Sequence, residues 1–220
     1  MKKLIIIYVV AFLAQRVSQA QGTIYFSNLG QPSAGTVGVG SDQWLAALFG
    51  TGTNASGYLL DSVELGLADA TGNPNGFTVM IYNNGAPLSG AAPGSSLDTL
   101  TGSLNPTTAG TYTYTPASSL TLLPNTYYFI VLTAGTAIAD GAYEWNYESI
   151  ASYNPVDGWG GGGAYVSSNG SLHSWYVPGP PFYYPELAIT AEPIPEPGVL
   201  SLFALSGLVF LWHRRNAKVV

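Results

Sequence analysis

Carboxylates interspersed with aromatic side chains are the main feature of this sequence that could perform chemistry. They fall within one stretch of the chain: Asp140, Glu144, Trp145, Tyr147, Glu148, Asp157 and Trp159. A glycoside hydrolase needs two acids, one as proton donor and one as base or nucleophile. In a strand, Glu144 and Glu148 would face the same side about 13 Å apart, too far for such a pair unless the strand bends. We therefore rank a glycoside hydrolase as the weakest hypothesis and predict that the protein is not an enzyme.

Other side chains that commonly perform catalysis are scarce. Between Gln21 and Glu196 the only histidine is His173, and Lys, Arg and Cys do not occur. Without a Gly-x-Ser-x-Gly elbow, a histidine-activated serine has no support. The glycine run at residues 160–163 lacks the Lys-Ser/Thr ending of a phosphate-binding loop, so we expect a flexible surface loop there.

The acids also raise the question of metal binding. Calcium held by loop carboxylates and backbone carbonyls is the milder alternative to catalysis, because these are hard oxygen ligands. The sequence has no spaced Asp-x-Asp-x-Asp loop, so the acids are expected to be solvated. We predict neither a cofactor nor a metal site.

Basic and acidic residues occupy different parts of the chain. All 6 Lys and Arg residues lie near the two ends, whereas all 12 Asp and Glu residues lie between Gln21 and Glu196. A domain without cationic side chains cannot neutralise phosphates. Its sequence therefore excludes nucleic-acid binding and attachment of the domain to anionic lipid headgroups.

The N-terminus has the three parts of a signal peptide. A Lys pair begins it, residues 4–14 form an apolar stretch too short to span a bilayer, and Ser18-Gln19-Ala20 is a small-x-small ending. We predict a signal peptide over residues 1–20, cut after Ala20 by signal peptidase, and an exported chain.

The C-terminus combines a proline-rich break, a short apolar run and basic residues. The prolines in residues 192–197 cannot continue a helix or a central strand, and residues 198–212 are apolar. That run is shorter than the roughly 20 residues needed to cross a bilayer comfortably. Arg214 and Arg215 just beyond it fit retention on the cytoplasmic side. We interpret residues 192–220 as a sorting tail with a short transmembrane helix; the alternative is an ordinary C-terminal anchor helix.

The tail resembles a known family. Pro195-Glu196-Pro197, the apolar run and Arg214-Arg215, in this order, resemble the PEP-CTERM sorting signal of Gram-negative bacteria. The resemblance implies processing by an exosortase, a membrane protease that cuts near the Pro-Glu-Pro motif, in organisms that make extracellular polysaccharide. It implies contact with the membrane before processing, and a destination in the cell envelope, on the cell surface or in the extracellular matrix.

Residues 21–191 are predicted to form one all-β domain, a β-sandwich of jelly-roll or fibronectin-like type. Short segments rich in Tyr, Val, Ile, Thr and Phe alternate there with Gly, Asn, Pro and Ser clusters. The expected strands cover residues 44–49, 62–67, 77–82, 111–115, 127–132, 143–147, 174–177 and 186–191. We expect residues 111–115 near a sheet edge and residues 127–132 buried on both faces.

Two further resemblances concern this domain. Leu122, Pro124 and Tyr128 resemble the corner that leads into a late strand of fibronectin-type sandwiches, in which a Tyr hydroxyl bonds back to nearby backbone. Several segments are similar to the "choice-of-anchor" domains often found ahead of such tails: residues 43–49, 57–67, 108–114 and 127–132, with Trp145 and Trp175. Those domains imply no catalytic residues.

These features favour an exported, non-enzymatic surface or matrix protein, associated with exopolysaccharide or biofilm. The alternative is a carbohydrate-binding module with an extracellular glycan as partner, because flat aromatic faces stack on sugar rings without needing charge. Trp159 is the candidate binding residue, since Asp157-Gly158 before it and the glycine run after it mark a loop where a Trp is hard to bury. Trp145 and Trp175 are expected in strands of the core.

Overall fold

The computed structural model describes residues 22–85, 91–168, 174–179 and 183–196. These residues form an all-β fold with two antiparallel sheets and one 3-10 turn, Ile138–Asp140. The predicted signal peptide with Ala20, and the tail from Pro197 through Arg214 and Arg215, lie outside the described residues.

The strands divide between a larger and a smaller sheet. The larger sheet contains β1 (Thr23–Ser27), β2 (Gly35–Val39), β4 (Tyr58–Leu67), β5 (Thr71–Gly72), β8 (Gly110–Tyr114), β9 (Thr121–Leu122), β11 (Gly141–Glu148), β13 (Tyr184–Pro185) and β14 (Leu187–Pro193). The smaller sheet contains, in spatial order, β12 (Gly160–Ser167), β3 (Trp44–Gly50), β10 (Tyr127–Thr133), β6 (Thr78–Asn84) and β7 (Pro93–Thr99).

The larger sheet has two parts that meet at β4. In one part β14 lies between β1 and β4, and β8 and β9 pair with β4 as well. In the other part β11 pairs with β2, β5 and β13. The end of β4 joins the two parts, because Leu67 pairs with Trp145. This junction brings β13 and the start of β14 close to the end of β11.

The main core contains buried side chains from both sheets, as expected for a β-sandwich. On β4 the predicted alternation is confirmed, since Val63, Leu65 and Leu67 are all buried in it. The smaller sheet contributes its inward face, including Val79 and Ile81. On β4 and β6 the face that the period-two pattern makes apolar is therefore the buried face.

The central strand β10 is buried on both faces, as predicted. Tyr128, Ile130 and Leu132 point into the main core. Phe129 and Val131 point outward into a second apolar cluster, against which Trp44, Leu48, Ala91, Tyr165 and Trp175 pack. The expectation for residues 111–115 also holds, since β8 pairs with one strand, β4.

The corner before β10 has the predicted hydrogen bond. The Leu123 N–H donates to the Tyr128 hydroxyl oxygen at 2.8 Å. Burial raises the pKa of Tyr128, while the bond to Leu123 acts in the opposite direction. The hydroxyl thus fixes the turn at Pro124 and Asn125 to the first residues of the strand.

Two sequence expectations are wrong. The glycine run at residues 160–163 is not a surface loop; it forms the start of β12, which pairs with β3 around a bulge between Gly161 and Ala164. A side chain at Gly161 would place its Cβ 2.6 Å from the Leu48 carbonyl oxygen, so glycine permits this close pairing. Residues 174–177 do not form a full strand; only Tyr176 makes a bridge, to Val166.

We expect Tyr128→Phe to lower the free energy of unfolding by about 0.5–1.5 kcal/mol, the usual net contribution of one hydrogen bond. The neighbouring Tyr127 is 52% exposed and is the matched control, so Tyr127→Phe should change stability far less. Urea denaturation followed by Trp fluorescence measures both. Equal effects of the two substitutions would show that the corner contributes nothing.

Candidate functional site

Trp159, the predicted glycan-binding residue, is buried in the main core, and the expectation of an exposed ring is wrong. It is 3% exposed. Its ring stacks on Tyr25 at 4.9 Å and on Phe49 at 6.0 Å, and meets the edge of Tyr58 at 5.1 Å between centroids. A ring enclosed by three others cannot stack on a sugar, so the carbohydrate-binding hypothesis loses its main residue.

The turn before Trp159 explains the error. Asp157 and Gly158 both have positive φ, of 51° and 76°, and the Trp159 N–H donates to the Val156 carbonyl at 3.0 Å. The turn signals therefore mark a real reversal of the chain. That reversal directs the indole between β1 and β3 instead of into solvent.

The other two tryptophans for which the sequence made a prediction, Trp145 and Trp175, lie in different environments. Trp145 is buried in the main core, as predicted, and its indole N–H donates to the Glu186 carbonyl oxygen at 2.9 Å. Trp175 packs, partly buried, against the second apolar cluster on the outer face of the smaller sheet.

The predicted acid group does not come together. Asp140 and Asp157 are exposed. Glu144 and Glu148 lie on the outer face of β11, but Glu144 accepts a hydrogen bond from Thr71 at 3.4 Å whereas Glu148 accepts one from Ser152. The two carboxylates of β11 therefore lie in separate surroundings and do not form a pair.

The structure instead brings Glu148 beside Glu186, a juxtaposition that sequence reasoning missed. Glu148 pairs with Tyr184 across β11 and β13, and the Glu186 N–H donates to the Asn146 carbonyl at 2.8 Å. Glu148 and Glu186 are therefore diagonal neighbours on the outer face of the larger sheet, about 7–8 Å apart at Cα. We call these two residues the buried acid pair.

Both members of the pair are enclosed. Glu148 is 4% and Glu186 is 6% exposed. Glu186 lies over β4, where a Cβ added to Gly66 would come 2.6 Å from its Oε2 atom and 3.3 Å from Leu29. Glycine at position 66 therefore provides the space that the carboxyl group occupies.

Side chains from the neighbouring turns fix the backbone around the pair. The Tyr153 hydroxyl donates to the Pro185 carbonyl at 3.1 Å, and its ring stacks on Phe26 at 4.3 Å. The Asn28 amide donates to the same carbonyl at 3.2 Å, and its oxygen accepts the Leu187 N–H at 2.9 Å. Hydrogen bonds to Pro185 and Leu187, the residues before and after Glu186, therefore fix its position.

The electrostatics of the pair are unfavourable for two charged groups. Oε1 of Glu148 and Oε1 of Glu186 are buried without a hydrogen-bond partner. Burial raises the pKa of Glu186, and nearby Glu148 adds to that rise, while a hydrogen bond from Asn146 opposes it. Burial also raises the pKa of Tyr153, with a further contribution from Glu148.

A glycoside hydrolase also uses two neighbouring carboxyl groups, but a sugar cannot reach these two. Both are less than one-tenth exposed. The neighbouring cleft, lined by Trp145, Asn146 and Pro185 among others, includes neither carboxyl group in its lining. This geometry gives the hydrolase hypothesis no support.

No protein-family model matches the chain, and no curated protein is significantly similar to it. Within the part of the chain that the structure describes, no helix is long and apolar enough to cross a membrane.

We expect Glu186→Gln to stabilise the protein at neutral pH in buffer containing EDTA, because glutamine carries no charge into the buried site. The pKa of Glu186 is raised on folding above its ordinary value of 4.5. The stability that it contributes is therefore fully present below that value and is lost as pH rises through the folded pKa.

The measurement is urea denaturation of wild type and variant at about pH 4.5 and about pH 7.5, since linkage predicts a gain only at the higher pH. Glu144→Gln is the matched control, because Glu144 lies on the same face of β11 but is less buried. A variant less stable than wild type at the higher pH would contradict the expectation.

Proposed function

We propose that this protein is an exported, non-enzymatic component of the bacterial cell surface or extracellular matrix, associated with exopolysaccharide or biofilm. In this proposal a signal peptide directs export, and a PEP-CTERM-like tail with a short transmembrane helix holds the precursor at the membrane. Signal peptidase and an exosortase-like protease then process the two ends. The Leu123–Tyr128 hydrogen bond supports the fibronectin-like form of the sandwich over the jelly roll.

One observation carries the proposal: the paired terminal strands lie just inside the two expected cuts. β1 begins at Thr23, shortly after Ala20, and β14 ends at Pro193, shortly before Pro195. The two strands pair with each other, with Thr23 opposite Ala191. Cuts at both positions would leave every strand of the larger sheet in place.

The segment that leads to the Pro-Glu-Pro motif is held on the domain by the turn at residues 54–57. The Ile194 N–H donates to the Gly57 carbonyl at 3.0 Å, and the Asn54 amide donates to the Ile194 carbonyl at 3.0 Å. The Ala55 N–H donates to Oε1 of Glu196 at 3.2 Å. In the proposal, a protease that cuts at the motif meets it close against the folded domain.

Intact-mass measurement of the protein recovered from its native host tests the proposal. The expected mature chain begins at Gln21 and ends near Pro195-Glu196-Pro197, because signal peptidase cuts after a small-x-small ending and the tail resembles an exosortase substrate. A mass that retains Lys2 or Arg214 would refute it.

We further expect Asn54→Ala to accelerate processing of the tail in the host. Loss of the bond from Asn54 to Ile194 removes about 1 kcal/mol from the docked state, which corresponds to roughly a fivefold rise in the undocked fraction. Pulse-chase labelling measures the conversion of precursor to mature chain. Asn73→Ala, an asparagine substitution at an exposed position away from this turn, should leave the rate unchanged. An unchanged rate for Asn54→Ala would contradict the role of the turn.

A further inference from the structure

The buried acid pair needs a positive charge that the surrounding side chains do not supply. Burying an ionised carboxylate is strongly unfavourable unless it is paired with a cation or bound to a metal. Lys and Arg are absent from residues 22–196, so no such side chain in the described residues can neutralise Glu148 or Glu186. Each carboxyl group nevertheless has an Oε1 atom that is buried and without a partner.

We propose that Glu148 and Glu186 bind a hard divalent cation of the calcium class. Their two unpartnered oxygens are the carboxylate ligands, and the neutral oxygen beside them is that of the Ser152 hydroxyl. All of these supply oxygen, the ligand atom that calcium prefers. The proposal rests on the buried acid pair and does not depend on the sorting function of the tail.

Calcium fits this donor set better than magnesium. Calcium accepts six to eight oxygens in flexible geometry, whereas magnesium demands near-ideal octahedral geometry and loses its waters reluctantly. Among the described residues, no three or more His, Cys, Asp or Glu side chains lie close enough together to hold a metal ion. Water must therefore complete the coordination shell. With two carboxylates, the affinity is expected near that of extracellular calcium modules, with a Kd of about 10⁻⁴–10⁻³ M.

The surroundings of the pair suit a structural cation better than a catalytic one. Glu148 lies at the end of β11, and Glu186 lies between β13 and β14. A cation bound to both would link the two parts of the larger sheet near their junction at β4. Since both carboxyl groups are less than one-tenth exposed, binding requires only that water and the ion reach them during small fluctuations.

The test uses the purified full-length chain in mild detergent, stripped with EDTA and titrated with CaCl₂. We expect calcium at tenfold excess over its Kd to raise Tm by about 3–6 °C, because it binds the folded state only. Terbium luminescence, sensitised by Trp145 and Tyr153 and displaced by calcium, provides a readout independent of stability.

Glu148→Gln and Glu186→Gln should each remove the calcium-induced rise in Tm and the terbium signal. Glu144→Gln should retain both, since Glu144 is on the same strand but outside the pair. Because Glu186→Gln removes a buried charge, this variant should fold. Loss of the calcium effect in it would therefore not be due to misfolding. The absence of any calcium effect on wild type, or its persistence in both pair variants, would overturn the proposal.

Discussion

The larger sheet depends on β14, because this last strand has a partner on each side. It pairs with β1 from Thr23 to Ser27 and with β4 from Tyr58 to Leu65. Leu187, Ile189 and Ala191 on β14 are fully buried between the sheets. Until this strand is in place, β1 has no partner from the larger sheet and the inward face of β4 is incomplete. The C-terminal strand is therefore needed to complete the larger sheet.

The absence of Lys and Arg from residues 22–196 is the second constraint. Most of the acids can be solvated, and a surface of uniform negative charge resists association with polyanions. Glu148 and Glu186 cannot be solvated in this way, because sheet pairing places them side by side beneath the turns that contain Leu29 and Ser152. The site can be relieved by a neutral Glu186, whose pKa is raised by burial, or by a bound cation. Both outcomes are set by strand register and not by any local sequence signal.

The contrast between confirmed and wrong expectations follows from the range of the interactions involved. Alternation on β4 and the hydroxyl bond at Tyr128 are local, so sequence spacing predicted them. The turn before Trp159 was also visible in the sequence, but the side to which the ring points depends on packing against Tyr25 and Phe49. The glycine run at residues 160–163 likewise shows that many backbone conformations are allowed there. It does not distinguish a loop from the bulged strand that the structure has.

The acid pair could not have been predicted, because its members are distant in sequence and meet only through the register of β11 with β13. Glu186 was expected as an ordinary first residue of a strand, and Glu148 as a solvated neighbour of Glu144. Their meeting gives the proposed export a physical consequence. A weak site for a divalent cation is filled only where that cation is abundant, as it is outside the cell. The two parts of the larger sheet would then be joined most firmly after export, when β14 and the segment held by Asn54 have both emerged on the same side of the membrane.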